Sequence, residues 1–162
     1  EATDKLIRSG RKKVLFLYDY ESYSAQQKMA GYESALRDNK LPVDGNLKLK
    51  ITGTIHEERD ILLVRKDLVF DAVVTTVDEL AVGALKYARA RMLKVPEDIS
   101  IVGYNNSLLA CCVEPELTSV DSSVKELSKM AVVKIMECIQ GEKVAHKTVV
   151  KGQLVRRCST DF

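Results

Sequence analysis

The sequence predicts an α/β fold built on a doubly wound parallel sheet, and three observations carry that reading. The stretch Asp71 to Ser107 runs strand, helix, strand with no room for anything else. Apolar runs and amphipathic stretches alternate along the rest of the chain, as they do when helices cover both faces of a parallel sheet. The chain has 162 residues, 46% of them hydrophobic, enough for one domain with a real core.

The central stretch sets the pattern. Val73 and Val74, with the β-branched Thr75 and Thr76, suit a strand buried on both faces. Asp78 is the expected N-cap of the next helix, with Glu79 favourable in its first turn. Leu80, Ala84, Leu85, Ala88 and Met92 keep helical spacing, Pro96 ends the connection, and Ile99, Ile101 and Val102 form the second strand. Parallel strands this close need a right-handed crossover. Ligands of such sheets bind beyond the carboxyl ends of the strands, here Thr76-Val77-Asp78 and Gly103-Tyr104-Asn105-Asn106.

Upstream, residues 1–9 read as a helix stopped by Gly10, and Val14 to Tyr18 as a buried strand. Ser24 and Gln27 form a capping-box pattern for a helix whose core face is Met29, Ala30, Ala35 and Leu36. Leu47, Leu49 and Ile51 alternate with lysines, the mark of a half-exposed edge strand. Glu57 to Leu68 is a charged helix with Ile61, Leu62 and Val64 buried. Downstream, Ser107 to Val113 is a short apolar helix or turn, and Leu117 to Asp121 is a strand. Ser123 and Glu126 suggest a second capping box for a helix reaching Gln140, and Val149-Val150 and Leu154-Val155 are late strands.

Net charge is +2, too small for a broad basic field that would bind nucleic acid directly. No stretch approaches a membrane span. The chain lacks an initiator Met, so a fragment is expected. Cys111, Cys112, Cys138 and Cys158 lack metal-ligand spacing and nearby histidines. Free buried thiols of a reducing cytoplasm are expected, with no metal and no cofactor. No catalytic motif occurs; His56 and His146 are isolated, and Asp19 lacks the companion acids of a phospho-acceptor domain. No enzyme activity is expected.

Spacing lets Lys28, in the first turn of a helix that follows a strand, reach the cleft, although from spacing alone a solvated helix lysine is the favoured reading. Asn105-Asn106 reads from spacing alone as a turn.

The segment VPEDISIVGYNNS followed by PELTSV resembles the effector-binding domain of lactose-repressor/galactose-repressor (LacI/GalR) type transcription regulators, whose pattern is roughly VPEDVSVVGFDDS and then PPLTTV. DAVVTTVDELAVGALK and the closing LVRRCST are similar to the family's segments at those places. The resemblance implies a periplasmic-binding-protein-like (type I) fold of two lobes around a ligand cleft. Residues 1–12 would be a helix of the N-terminal lobe and 13–118 the C-terminal lobe. Residues 119–145 would be a crossover strand and helix of the N-terminal lobe, and 146–162 the closing strands. The DNA-binding head would lie outside this chain. The helix at 123–140 would then lack its sheet. Burying one large aliphatic is worth about 1.5–3 kcal/mol, so that helix is expected to pack on a second copy or be displaced.

The resemblance also assigns roles. Ser24, Lys28, Gly31 and Tyr32 stand where the family has Ser-x-x-x-Arg-x-x-Gly-Tyr, whose Arg grips effector hydroxyls; Lys keeps the charge without the planar fork. Asn105 replaces an Asp that accepts hydroxyl hydrogen bonds. Val77 and Ile55 occupy other effector-facing positions, the latter in place of an aromatic ring. Val82, Leu109 and Val113 fall in regions of dimer contact, and LLACCV is unusually apolar for a loop. The implied partners are a sugar or sugar phosphate, a second copy, and operator DNA through the absent head, with no membrane. The function implied is effector sensing and dimerisation in a regulator. A transport-linked sugar-binding protein is the alternative, since it shares the fold. Met92 stands where the family often has Gly; a helix that extends or caps in another way is the expected outcome.

Overall fold

The computed structural model describes residues 1–162. Six strands form one sheet in the order β2-β1-β3-β4-β5-β6. They are β1 (Val14–Tyr18), β2 (Lys48–Lys50), β3 (Ala72–Thr75), β4 (Ser100–Tyr104), β5 (Thr118–Asp121) and β6 (Gln153–Val155). All neighbours pair parallel except β6, which runs antiparallel along β5. The helices are α1 (Ala2–Arg8), α2 (Tyr23–Asp38), α3 (Ile55–Val64), α4 (Asp78–Ala90), α5 (Leu109–Cys112) and α6 (Val124–Ile139).

Two cores follow from this layering. On one face Leu6, Phe16, Tyr32 and Leu36 pack together with Val14, Val74 and Val102. On the other, Leu15, Leu17, Leu62, Val73, Leu80, Leu85 and Ile101 pack together. Successive residues of β1 and β4 feed opposite cores, as the two-residue strand period requires. Helix α1 contacts α2, β1 and β3, and its Leu6 is fully buried. It therefore packs on one face of this sheet.

Helix starts differ from the motif reading. Ser22, not Ser24, caps α2: its hydroxyl accepts from the Ala25 N–H at 3.1 Å. Its buried face is Ala25, Tyr32, Ala35 and Leu36, while Met29 is half-buried and Ala30 exposed. Helix α3 starts at Ile55 because Thr54 and Glu57 form a reciprocal capping box. It stops at Val64, which is exposed, leaving Leu62 as its buried anchor. Ser123 makes no cap bond; its backbone is left-handed, and the Asp121 carboxylate accepts its N–H at 2.7 Å. Val149-Val150 forms no strand. The tail is secured instead by Ser159, whose hydroxyl donates to the Ile101 carbonyl and accepts from Thr118 N–H.

The four cysteines are free, as expected, but all are exposed. Cys138 is exposed because no residue of α6 is buried. Val124, Leu127, Ile135 and Ile139 face solvent along that helix.

Met92 follows α4 with φ of 55°, so the helix does not extend through it. Its side chain is 90% exposed and gains little from packing. Met92→Gly is therefore expected to raise the unfolding free energy by about 1 kcal/mol, read by urea denaturation, because glycine adopts this backbone without penalty.

Candidate functional site

The carboxyl ends of β1, β3 and β4 gather one polar group. Asp19 follows β1, Thr76 follows β3, and Tyr104 ends β4. Lys28 reaches over from α2, and its ammonium donates to the Thr76 carbonyl at 2.9 Å. The same nitrogen lies 3.6 Å from the centre of the Tyr104 ring, a close cation–π contact. Thr76 Oγ1 donates to Asp19 Oδ1 at 3.1 Å. Burial pulls the Lys28 ammonium below the usual lysine range, and the Asp19 carboxylate partly opposes that shift. A half-buried cation with one carbonyl and one ring as partners retains capacity for an anion.

Asn105 adjoins Tyr104, so Lys28 and Asn105 stand at the same edge of the sheet. Asn105 is exposed with φ of 100°, and Asn106 follows with φ of 50°. Two consecutive positive φ values suit asparagine better than most residues. The turn is held from behind. Asn106 Nδ2 donates to Asp121 Oδ2 at 3.2 Å, and Arg157 donates to Asn106 Oδ1 at 2.6 Å.

Asp78 braces the same edge from below. It occupies the first position of α4, and Val77 takes the cap position without a side-chain bond. The fully buried Asp78 carboxylate accepts from Ser107 N–H and from Ser119 Oγ, each at 2.6 Å. Gly103 makes room for it, since a Cβ there would overlap Asp78 Oδ1 and Leu117.

The other nominated residues separate into three places. Val77 is half-buried and packs on the core shared by α3 and α4. Ile55 lies in a groove with Thr54, His56, Glu58 and Glu79, which Lys28 does not line. Val82 is buried within one chain, yet it lines a groove of about 570 Å3 with Leu85, Arg89, Leu93 and Val113. Leu109 is half-buried on α5 and does not line that groove. Sequence reasoning placed Thr76 and Tyr104 at the ligand edge without a role, and missed Asp19 as a partner of Thr76 and Arg157 as a brace of Asn106. Asp19 follows β1, so the strand-end signal would have found it; no local signal points to Arg157.

Residues 3–160 match the family of periplasmic binding protein-like domains. An HTH-type transcriptional regulator of Lachnoclostridium phytofermentans is 41% identical over all of this chain, which covers 49% of it. The chain thus spans about half the length of that relative. A sugar-binding LacI-family regulator from Escherichia coli, solved with phosphate, is 27% identical with a TM-score of 0.86, over 98% of this chain and 58% of that one. The regulator CelR, solved with cellobiose, is 27% identical with a TM-score of 0.87, over 97% of this chain and 49% of that one. No helix is long and apolar enough to cross a membrane. The chain therefore belongs to the periplasmic binding protein-like domain family, and it is similar to that domain of LacI-type transcription regulators.

Proposed function

We propose that this chain is the effector-sensing and dimerising part of a bacterial LacI-type regulator. A small ligand held at the strand ends shifts the balance between two lobe arrangements, and operator DNA responds through a head outside this chain. The observation that carries the reading is Lys28, a half-buried cation at the carboxyl end of the sheet, beside Tyr104 and near Asn105. Relatives solved with phosphate and with cellobiose support a ligand of this size and polarity. Val77 and Ile55 belong to the proposed binding wall as apolar neighbours, and the Val82, Leu109 and Val113 surface is the proposed contact with a second copy in the cytoplasm.

The ligand is a sugar carrying an anionic group, such as a sugar phosphate. An ammonium meets an anion as a point charge, whereas the planar fork of arginine suits paired hydroxyls and carboxylates. Calorimetry on the full-length protein tests this. A phosphorylated sugar should bind, and Lys28→Met should weaken it by about tenfold to a hundredfold, the loss expected for one charge-assisted bond. Tight binding of neutral sugars with none of phosphorylated ones would refute the anionic ligand. A transport role predicts instead that ligand leaves operator affinity unchanged; a band-shift titration distinguishes the two.

A further inference from the structure

The chain leaves β5 through Asp121, and one carboxylate there joins two parts of the molecule. Asp121 Oδ2 accepts from Asn106 Nδ2 at 3.2 Å, and Oδ1 accepts from the Ser123 N–H at 2.7 Å. Asn106 belongs to the turn that presents Asn105 at the candidate site. Ser123 is the N-cap of α6, a helix with no buried residue. The Asn106 side chain is fixed at its other end too, because Arg157 donates to Oδ1 at 2.6 Å. That bond leaves the NH2 to face Asp121, so the amide has one orientation. A Cβ at Gly152 would come within 2.8 Å of the Asp121 carbonyl oxygen, so the backbone at Asp121 is closely backed. The other bond from Ser123 is weak: its hydroxyl reaches the Lys151 carbonyl at 3.5 Å. The carboxylate is thus the short path between the turn and the start of α6.

We propose that Asp121 is a positioning residue that locks the Asn105-Asn106 turn to the first turn of α6, so that a ligand drawing on Asn105 turns α6 about Ser123. This rests on the effector reading for its ligand, and adds the route by which occupancy leaves the site. The link needs a carboxylate. Its two acceptor oxygens serve two donors at once, whereas an amide at position 121 keeps one acceptor and sets its own NH2 against that of Asn106. Ser123 supplies the pivot, with a left-handed φ of 53° between strand and helix. Helix α6 has 16 residues and is about 24 Å long, so a rotation of about 10° at Ser123 carries its far end about 4 Å. A shared carboxylate makes the coupling measurable as non-additivity of its two partners, a stronger warrant than proximity.

Hydrogen–deuterium exchange of the full-length protein, read by mass spectrometry, tests the link without any ligand. The amides of Glu126 and Leu127 donate to the Ser123 carbonyl and report the first turn of α6. Asn106→Asp keeps an acceptor for Arg157 and a residue that tolerates positive φ, but sets two carboxylates face to face. Asp121→Asn sets two NH2 groups face to face. Each single variant should speed exchange in the peptide covering that turn at least tenfold, with α2 unchanged. The double variant restores a donor at position 121 opposite an acceptor at position 106, and its exchange should return to within threefold of wild type. Single variants within twofold of wild type at α6 would overturn the proposal, as would a double variant no closer to wild type than the singles. Faster exchange spread evenly over α2 and α4 would overturn it too, since that is general loosening. Failure here is distinguishable from failure of the effector reading, which the Lys28→Met calorimetry judges without reference to α6.

Discussion

Asp78→Ala is expected to lower the unfolding free energy by about 3–5 kcal/mol, since hydrogen bonds to a charged group are worth about 1.5–3 kcal/mol each and two are lost together. The carboxylate is fully buried and accepts from Ser107 N–H and Ser119 Oγ. Alanine leaves both donors without an acceptor in a site closed to bulk water. Asp78→Asn keeps the shape but presents an NH2 to one donor, so about half the loss is expected. Urea denaturation at unchanged slope checks both values. A loss under 1 kcal/mol for alanine would mean that water replaces the carboxylate. The consequence reaches the candidate site, because Ser107 follows the Asn105-Asn106 turn and Ser119 Oγ also accepts the Asn106 N–H at 3.0 Å. Loosening Asp78 should therefore weaken ligand binding without touching ligand.

Glu58→Gln is expected to act in the opposite direction and raise stability at pH 7 by on the order of 2 kcal/mol. The unfolded chain releases the Glu58 proton near 4.5, whereas burial makes the folded chain keep it up to about 9. Over that window the folded state binds the extra proton, so stability falls as pH rises. Below 4.5 both states are protonated and the group has no effect. Between 4.5 and pH 7 the loss is about 3 kcal/mol at about 1.4 kcal/mol per pH unit. Glutamine recovers less than this, because its buried amide still lacks partners. The wild-type protein should thus lose stability from pH 5 to pH 8.5, and the variant should show a much flatter curve in the same urea series. Equal slopes would show that Glu58 is ionised and solvated at neutral pH.

Most of the fold was legible because its signals are local. The Ala72–Thr75 strand and the Ser100–Tyr104 strand lie within a residue or two of where apolar spacing put them, and the Asp78–Ala90 helix stops short of the spacing that ran on through Met92. Lys28 and Asn105 could be placed at one edge because topology rules put strand ends there. Caps were harder. Ser24 with Gln27 fits the capping-box pattern, yet Ser22, followed three residues on by Ala25, makes the cap. Ser123 matched a capping box, yet its backbone turns left-handed on leaving β5.

Sequence by itself determined the α/β layering, the parallel order of the central strands and the polar residues at their tips, since residue periodicity and chain chirality decide these without reference to distant neighbours. Only the tertiary structure decided what those side chains do. Asp78 meets partners 29 and 41 residues away, Lys28 meets a carbonyl 48 residues on, and Glu58 is buried because a neighbouring helix carries glycine at the contact. Burial and pairing across elements set charge and bonding, and no local pattern encodes which elements will meet.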